Sequence, residues 1–161
     1  VIFENEGRLD EAFQKYCDAI RCYPAYREAA AKVVELIHID RPPRNVASAV
    51  NDLGEALDRA IEQGITDPYA FASLGVTFLH GESRRDPAAA LRWSESALRT
   101  VEKKDAHILA VLAEAQLESG QPAAAVLTLE EAESLGGAPA FLHGFLSRAR
   151  RVAATKVGPA E

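Results

Sequence analysis

Histidines are the natural place to look for chemistry, because their side chains exchange protons near neutral pH and bind metals readily. The chain has four, His38, His80, His107 and His143, far apart in sequence, and the motif H-E-x-x-H does not occur. They are expected on different helices without obvious convergence, as exposed or half-buried helix-end residues. The run His80-Gly81-Glu82-Ser83 invites comparison with a nucleophile elbow, but G-x-S-x-G is missing and no strand precedes it. It reads as a helix-terminating turn with a charged insertion. Neither G-x-G-x-x-G nor G-x4-G-K-[ST] is present to cradle a phosphate. Glu130, Glu131 and Glu133 read as a solvated helix face, since acid–base catalysis needs placed carboxylates, not merely many. Cys17 and Cys22 are too few for a disulfide scaffold and lie on different helix faces, which fits a reducing cytosol. No catalytic residue, cofactor or metal is expected, and Trp93 is read as packing.

The elements that would position any site follow from composition. The chain has 161 residues, 48% hydrophobic and 26% charged, which is the size and make-up of one globular domain. A net charge of −6 argues against a nucleic-acid partner, which would need a basic face. No run of about 18 apolar residues occurs, so no membrane span is expected. The chain opens on Val1 with Glu4 and Glu6 close behind, so no signal peptide is read there. It reads as a piece of a longer, cytoplasmic protein.

Ala is the commonest residue, with Leu, Glu and Arg also frequent, and all favour helix. Ile108, Leu109, Val111, Leu112, Ala115 and Leu117 recur at intervals of three and four, the stripe of a buried helix. Asp10, Asn45, Asp67, Asp86 and Asp105 are N-cap candidates, and Pro68 and Pro87 follow two of them at the first helical position. Gly64, Gly81, Gly120 and Gly136 stand where helices would stop. The pattern predicts eight helices, at 8–22, 26–39, 45–63, 68–80, 87–102, 105–119, 122–135 and 139–154, with residues 155–161 as a flexible tail. Short connections make neighbours antiparallel.

Alanine pairs seven residues apart repeat along the chain: Ala12/Ala19, Ala49/Ala56, Ala90/Ala97 and Ala125/Ala132. Their first members are offset by 37, 41 and 35 residues, near a 34-residue unit with small insertions. With Leu74, Gly75, Phe78, Ala90 and Ala97, then Gly7, Ala12, Tyr16, Ala19 and Pro24, the chain resembles the tetratricopeptide repeat family. Leu112, Ala113, Gly120, Ala125, Leu129 and Ala132 supply a third copy, and Val33, Val34, Ile37, Ala49, Leu53 and Ala56 a degenerate one. The segment from Leu74 to Ala97 is also similar to the Sel1-like variant, with Ser83 and Arg84 standing where that variant has Gly and a following Val.

The resemblance implies an all-α, right-handed α-solenoid of stacked hairpins over residues 1–154. A partial repeat would cover 1–26, full repeats about 27–63, 68–102 and 105–137, and a capping helix 139–154. Phe78, Trp93, Leu112 and Leu129 are expected to carry much of the buried area, and Arg148, Arg150 and Arg151 to give the last helix a polar face. Val1, Ile2 and Phe3 would have covered a preceding helix, or would let the chain assemble with another copy. In this family the first helix of each hairpin lines a concave groove that takes peptide segments. By position the groove residues are Glu28, Ala31 and Glu35, then Tyr69, Ala72, Val76 and Leu79, then His107, Ala110, Glu114 and Glu118. An acidic groove with an apolar middle suits a basic partner with one or two apolar anchors. The expected function is non-catalytic protein binding. A regulatory segment of a larger enzyme and a self-assembly element are the alternatives.

Overall fold

The computed structural model describes residues 6–156. Eight helices follow one another: α1 (Glu6–Cys22), α2 (Arg27–Ile37), α3 (Val46–Glu62), α4 (Pro68–His80), α5 (Pro87–Thr100), α6 (Ala106–Glu118), α7 (Pro122–Ser134) and α8 (Phe141–Lys156). Among the described residues there is no strand, so the fold is all-α.

Local chemistry explains where several helices begin. The Asp67 carboxylate accepts from the backbone N–H groups of Tyr69 at 2.8 Å and Ala70 at 3.2 Å. Asp105 does the same for His107 at 2.8 Å and Ile108 at 3.3 Å, and Asp86 for Ala89 at 3.1 Å. Each satisfies donors that the first turn leaves open. Pro68, Pro87 and Pro122 sit in the first turn, where no N–H is needed. Gly64 and Gly120 follow α3 and α6 with φ of 103° and 80°, a left-handed conformation that favours glycine.

Four expectations are corrected. Asp10 lies inside α1, where its carboxylate accepts the Arg44 N–H at 2.7 Å and so ties α1 to the α2–α3 connection. Gly81 is extended, at φ −66°, and Gly137, not Gly136, takes the left-handed turn before α8. Gly81 is needed for space instead, since a Cβ there would lie 2.6 Å from the Thr77 carbonyl oxygen. The last helix starts at Phe141 and runs through Thr155 to Lys156, beyond the expected start of the tail. Val1–Phe3 and residues 157–161 lie outside the described residues.

One apolar core runs from Phe13, Cys17 and Ile20 in α1 to Leu142, Leu146 and Ala149 in α8. Sequential helices pack on each other from α3 to α8, α1 packs on both α2 and α3, and α2, α4 and α6 also touch one another. The central pair, α4 and α6, is buried on nearly every side: Ala72–Thr77 and Ile108–Ala113 form unbroken buried runs. That explains why apolar residues spread over most of both helices and widen the stripe of α6 beyond a single face. Gly75 lets α4 approach closely, for a Cβ there would meet Val111 Cγ1 at 3.3 Å and the Ala90 carbonyl at 3.5 Å. Ala90, Ala97, Ala125 and Ala132 have no exposed surface, whereas Ala12, Ala19 and Ala56 are half-buried. The small-residue pairing is therefore tightest in the second half of the chain. Leu112 and Leu129 are buried as expected. Phe78 and Trp93 are only partly so: the Arg84 guanidinium lies 4.4 Å over the Phe78 ring, and Trp93 tilts against Phe71 at 5.4 Å. No helix among the described residues is long and apolar enough to cross a membrane.

Candidate functional site

The inner ends of α2, α4 and α6 bring together groups that the sequence keeps far apart. Glu114, on α6, points its two oxygens at two histidines: His38 Nε2 lies 3.2 Å from Oε1, and His80 Nε2 lies 2.7 Å from Oε2. Two of the four histidines therefore do converge, contrary to expectation. His80 Nε2 makes no well-aligned hydrogen bond, so at that distance charge more than bond direction holds it. Burial alone would raise the Glu114 carboxyl, but the two imidazoles of His38 and His80 beside it outweigh burial and hold the group well below the usual carboxylate range.

His38 itself is sandwiched by α8. Its ring stacks on Phe145 at 4.4 Å and on Phe141 at 5.3 Å, and Arg148 Nη2 approaches its Nδ1 at 3.4 Å. An arginine can only donate, so Nδ1 accepts and the ring proton is assigned to Nε2, facing Glu114. One ring thereby links the C-terminus of α2 to α6 and α8.

A second cluster lies nearer the start of α6. His107 Nε2 is 2.8 Å from Glu35 Oε2 of α2, and His107 Nδ1 is 3.5 Å from Asp105 Oδ1. Asp105 also accepts from the Tyr69 hydroxyl at 3.1 Å and pairs with Arg27 at 3.4 Å. Burial would raise the Asp105 carboxyl, but hydrogen bonds from the His107 side chain and the His107 and Ile108 backbone pull it down to about 2. The Tyr69 phenol is pushed up to about 12 by burial and by the Asp105 charge beside it, which keeps it a donor at neutral pH. Arg27, Tyr69, Asp105 and His107 line an open cleft of about 720 Å³, walled by the α5–α6 connection from Thr100 to Asp105 and the α7–α8 connection from Leu135 to Pro139. Three cationic side chains line it, Arg27, Lys103 and Lys104, against three carboxylates, Asp67, Glu102 and Asp105. Lys104 is paired with Glu131, and Lys103 has no ion-pair partner among the described residues.

The positions read from the sequence divide accordingly. Tyr69 and His107 line the cleft. Val76 and Leu79 are 2% exposed, and Ala72 and Ala110 are also buried, so the apolar middle belongs to the core. Glu35 is occupied by His107 and Lys32, Glu114 by His38 and His80, and Glu118 by Arg85 at 2.5 Å. Glu28 is exposed on α2, and Ala31 is half-buried beside it. His143 is 86% exposed, 3.6 Å from Glu133, and takes no part in either cluster.

On another side of α4, the inserted turn after His80 fastens onto α3. Ser83 donates its N–H and hydroxyl to Asn51 Oδ1 at 3.1 and 2.9 Å, and the Glu82 N–H reaches the Ala47 carbonyl at 3.3 Å. Arg84 forms a two-pronged pair with Asp58, at 2.8 and 3.1 Å, and its Nε lies 3.3 Å from the Thr77 hydroxyl. Gly54 makes room for it: a Cβ there would meet Arg84 Nε at 2.2 Å. The charged insertion is thus a clamp.

Among the described residues no cluster of three or more His, Cys, Asp or Glu is arranged to hold a metal. Both cysteines are free thiols, and burial pushes Cys17 up to about 12. Comparison with family models, curated proteins and solved structures finds no match to the chain. The tetratricopeptide resemblance rests on the residues quoted above.

Proposed function

We propose that this chain is a non-catalytic helical-repeat module of the tetratricopeptide kind that docks a short polypeptide segment. The observation that carries this reading is the 720 Å³ cleft, which two inter-helix connections wall and in which Arg27 and Lys103 offer donors and Tyr69 and His107 offer rings. A cleft of this size, lined by both signs of charge, suits a polar polypeptide segment better than an apolar small molecule. The alternating helices and the buried alanine pairs support the repeat reading. Because Glu35, Glu114 and Glu118 are already paired, a basic partner would have to use Glu28 and Glu102 instead.

Selection of a displayed random peptide library on the intact chain tests this. Enriched peptides should bind Tyr69→Ala and Lys103→Glu variants at least ~10-fold more weakly, the loss of about one well-made contact. Failure to enrich, or peptides indifferent to both substitutions, would end the proposal.

A further inference from the structure

We infer that the His80–Glu114 and His107–Glu35 pairs form a proton-operated latch, which ties α2, α4 and α6 together in mildly acidic solution and loosens them in mildly alkaline solution. The inference does not depend on whether the cleft binds a peptide.

Its basis is connectivity. His80 closes α4 and meets Glu114 of α6, while His107 near the start of α6 meets Glu35 of α2. Each pair joins helices that are not consecutive in sequence, so opening them would let the inner ends move apart without breaking a hairpin. Both sites are mostly sheltered: the side chains of His80 and His107 are 23% and 20% exposed, and those of Glu114 and Glu35 are 15% and 30%. Ion pairs in such places are screened less than surface ones.

The surrounding charges favour protonation. His80 faces Glu114 and Glu118 of α6, with Arg85 of the α4–α5 turn opposing them and His38 of α2 across the shared carboxylate. His38 is in turn faced by Arg148 of α8. His107 faces Glu35 of α2 and Asp105, with Lys32 on Glu35, Arg27 and the Tyr69 hydroxyl on Asp105, and the Phe141 ring of α8 at 6.1 Å. Burial pulls both imidazoles toward the neutral form, but the carboxylates outweigh it and raise both above the ordinary histidine value. A group raised in the folded state adds stability that is complete below its unfolded value, near 6.5, and fades as the pH climbs through the folded value. Cys17, pushed up to about 12 from 9.0, keeps its proton in the folded chain, so the loss of stability it causes begins only near pH 9. That loss adds little at pH 8.5 and is the same in the double variant described below.

Thermal unfolding of the intact chain at pH 6.0 and 8.5 tests the latch. The midpoint should fall by roughly 3 °C or more at the higher pH, and a Glu35→Gln, Glu114→Gln double variant should lose most of that dependence. A wild-type midpoint that is level or rises with pH would overturn the inference. Should the double variant fail to fold, the wild-type histidine ring signals decide by NMR titration. His80 and His107 should titrate above about 6.5, and midpoints at or below that value would overturn it. Amide exchange, corrected for its intrinsic pH dependence, should show stronger protection of α2 and α6 at pH 6.0, and equal protection would also overturn it.

Discussion

Two carboxylates hold this molecule together from different sides, and they do so with different bases. Asp58, on α3, grips Arg84 with both oxygens, and that guanidinium also covers Phe78. Glu114, on α6, divides its oxygens between two histidines. A guanidinium stays charged at every physiological pH and presents a rigid fork, so the first fastener is permanent. Imidazoles change charge near neutrality, so the second is conditional. The permanent one anchors a loop to its neighbouring helix, and the conditional one lies where non-consecutive helices meet. Where a charge is placed thus decides less than which base answers it.

The largest expected effect removes core packing and should be blind to both fasteners. Leu112→Ala, in the buried run of α6, should destabilise by about 3 kcal/mol at any pH between 6 and 8.5, read by urea denaturation. An unchanged midpoint would mean the α6 core is misplaced. Next, Arg84→Ala should cost about 2 kcal/mol, part lost packing over Phe78 and part the pairing of a half-exposed Asp58, with no pH dependence across that range. Glu114→Gln should cost about 1.5 kcal/mol at pH 6 and visibly less at pH 8.5, because the neutral His80 it then faces needs the carboxylate less. A loss that is equal at both pH values would erase the contrast between the two fasteners. The smallest effect is Arg150→Ala: its 3.0 Å pair with Glu130 is half-exposed on both sides, and the change should stay within about 0.5 kcal/mol.

Much of the scaffold was legible in the residues. Asp-Pro at 67–68 and 86–87, and Asp105 before an apolar stripe, mark helix starts by a mechanism that acts within three residues. Asp10 misled because an aspartate before an apolar stretch looks the same whether it caps its own helix or a distant segment. The polar clusters were hidden for a related reason. His38 and His80 close α2 and α4, and Glu114 sits one turn before the end of α6, so all three lie near helix C-termini but in segments far apart in sequence. Nothing local announced that α8 would lay Phe141 and Phe145 against His38, since these residues come from opposite ends of the chain. Val76 and Leu79 fall in the core because α3, α5 and α6 all pack on α4.

The direct contact between α2 and α6 has a consequence for how the chain comes apart. In a row where each unit leans only on the next, ends can melt while the middle survives, and units can be removed or added almost freely. Here the second neighbour matters too, so excising α4 and α5 would leave two surfaces shaped for a helix no longer between them. Such a molecule should unravel in a single all-or-none step, with no surviving fragment.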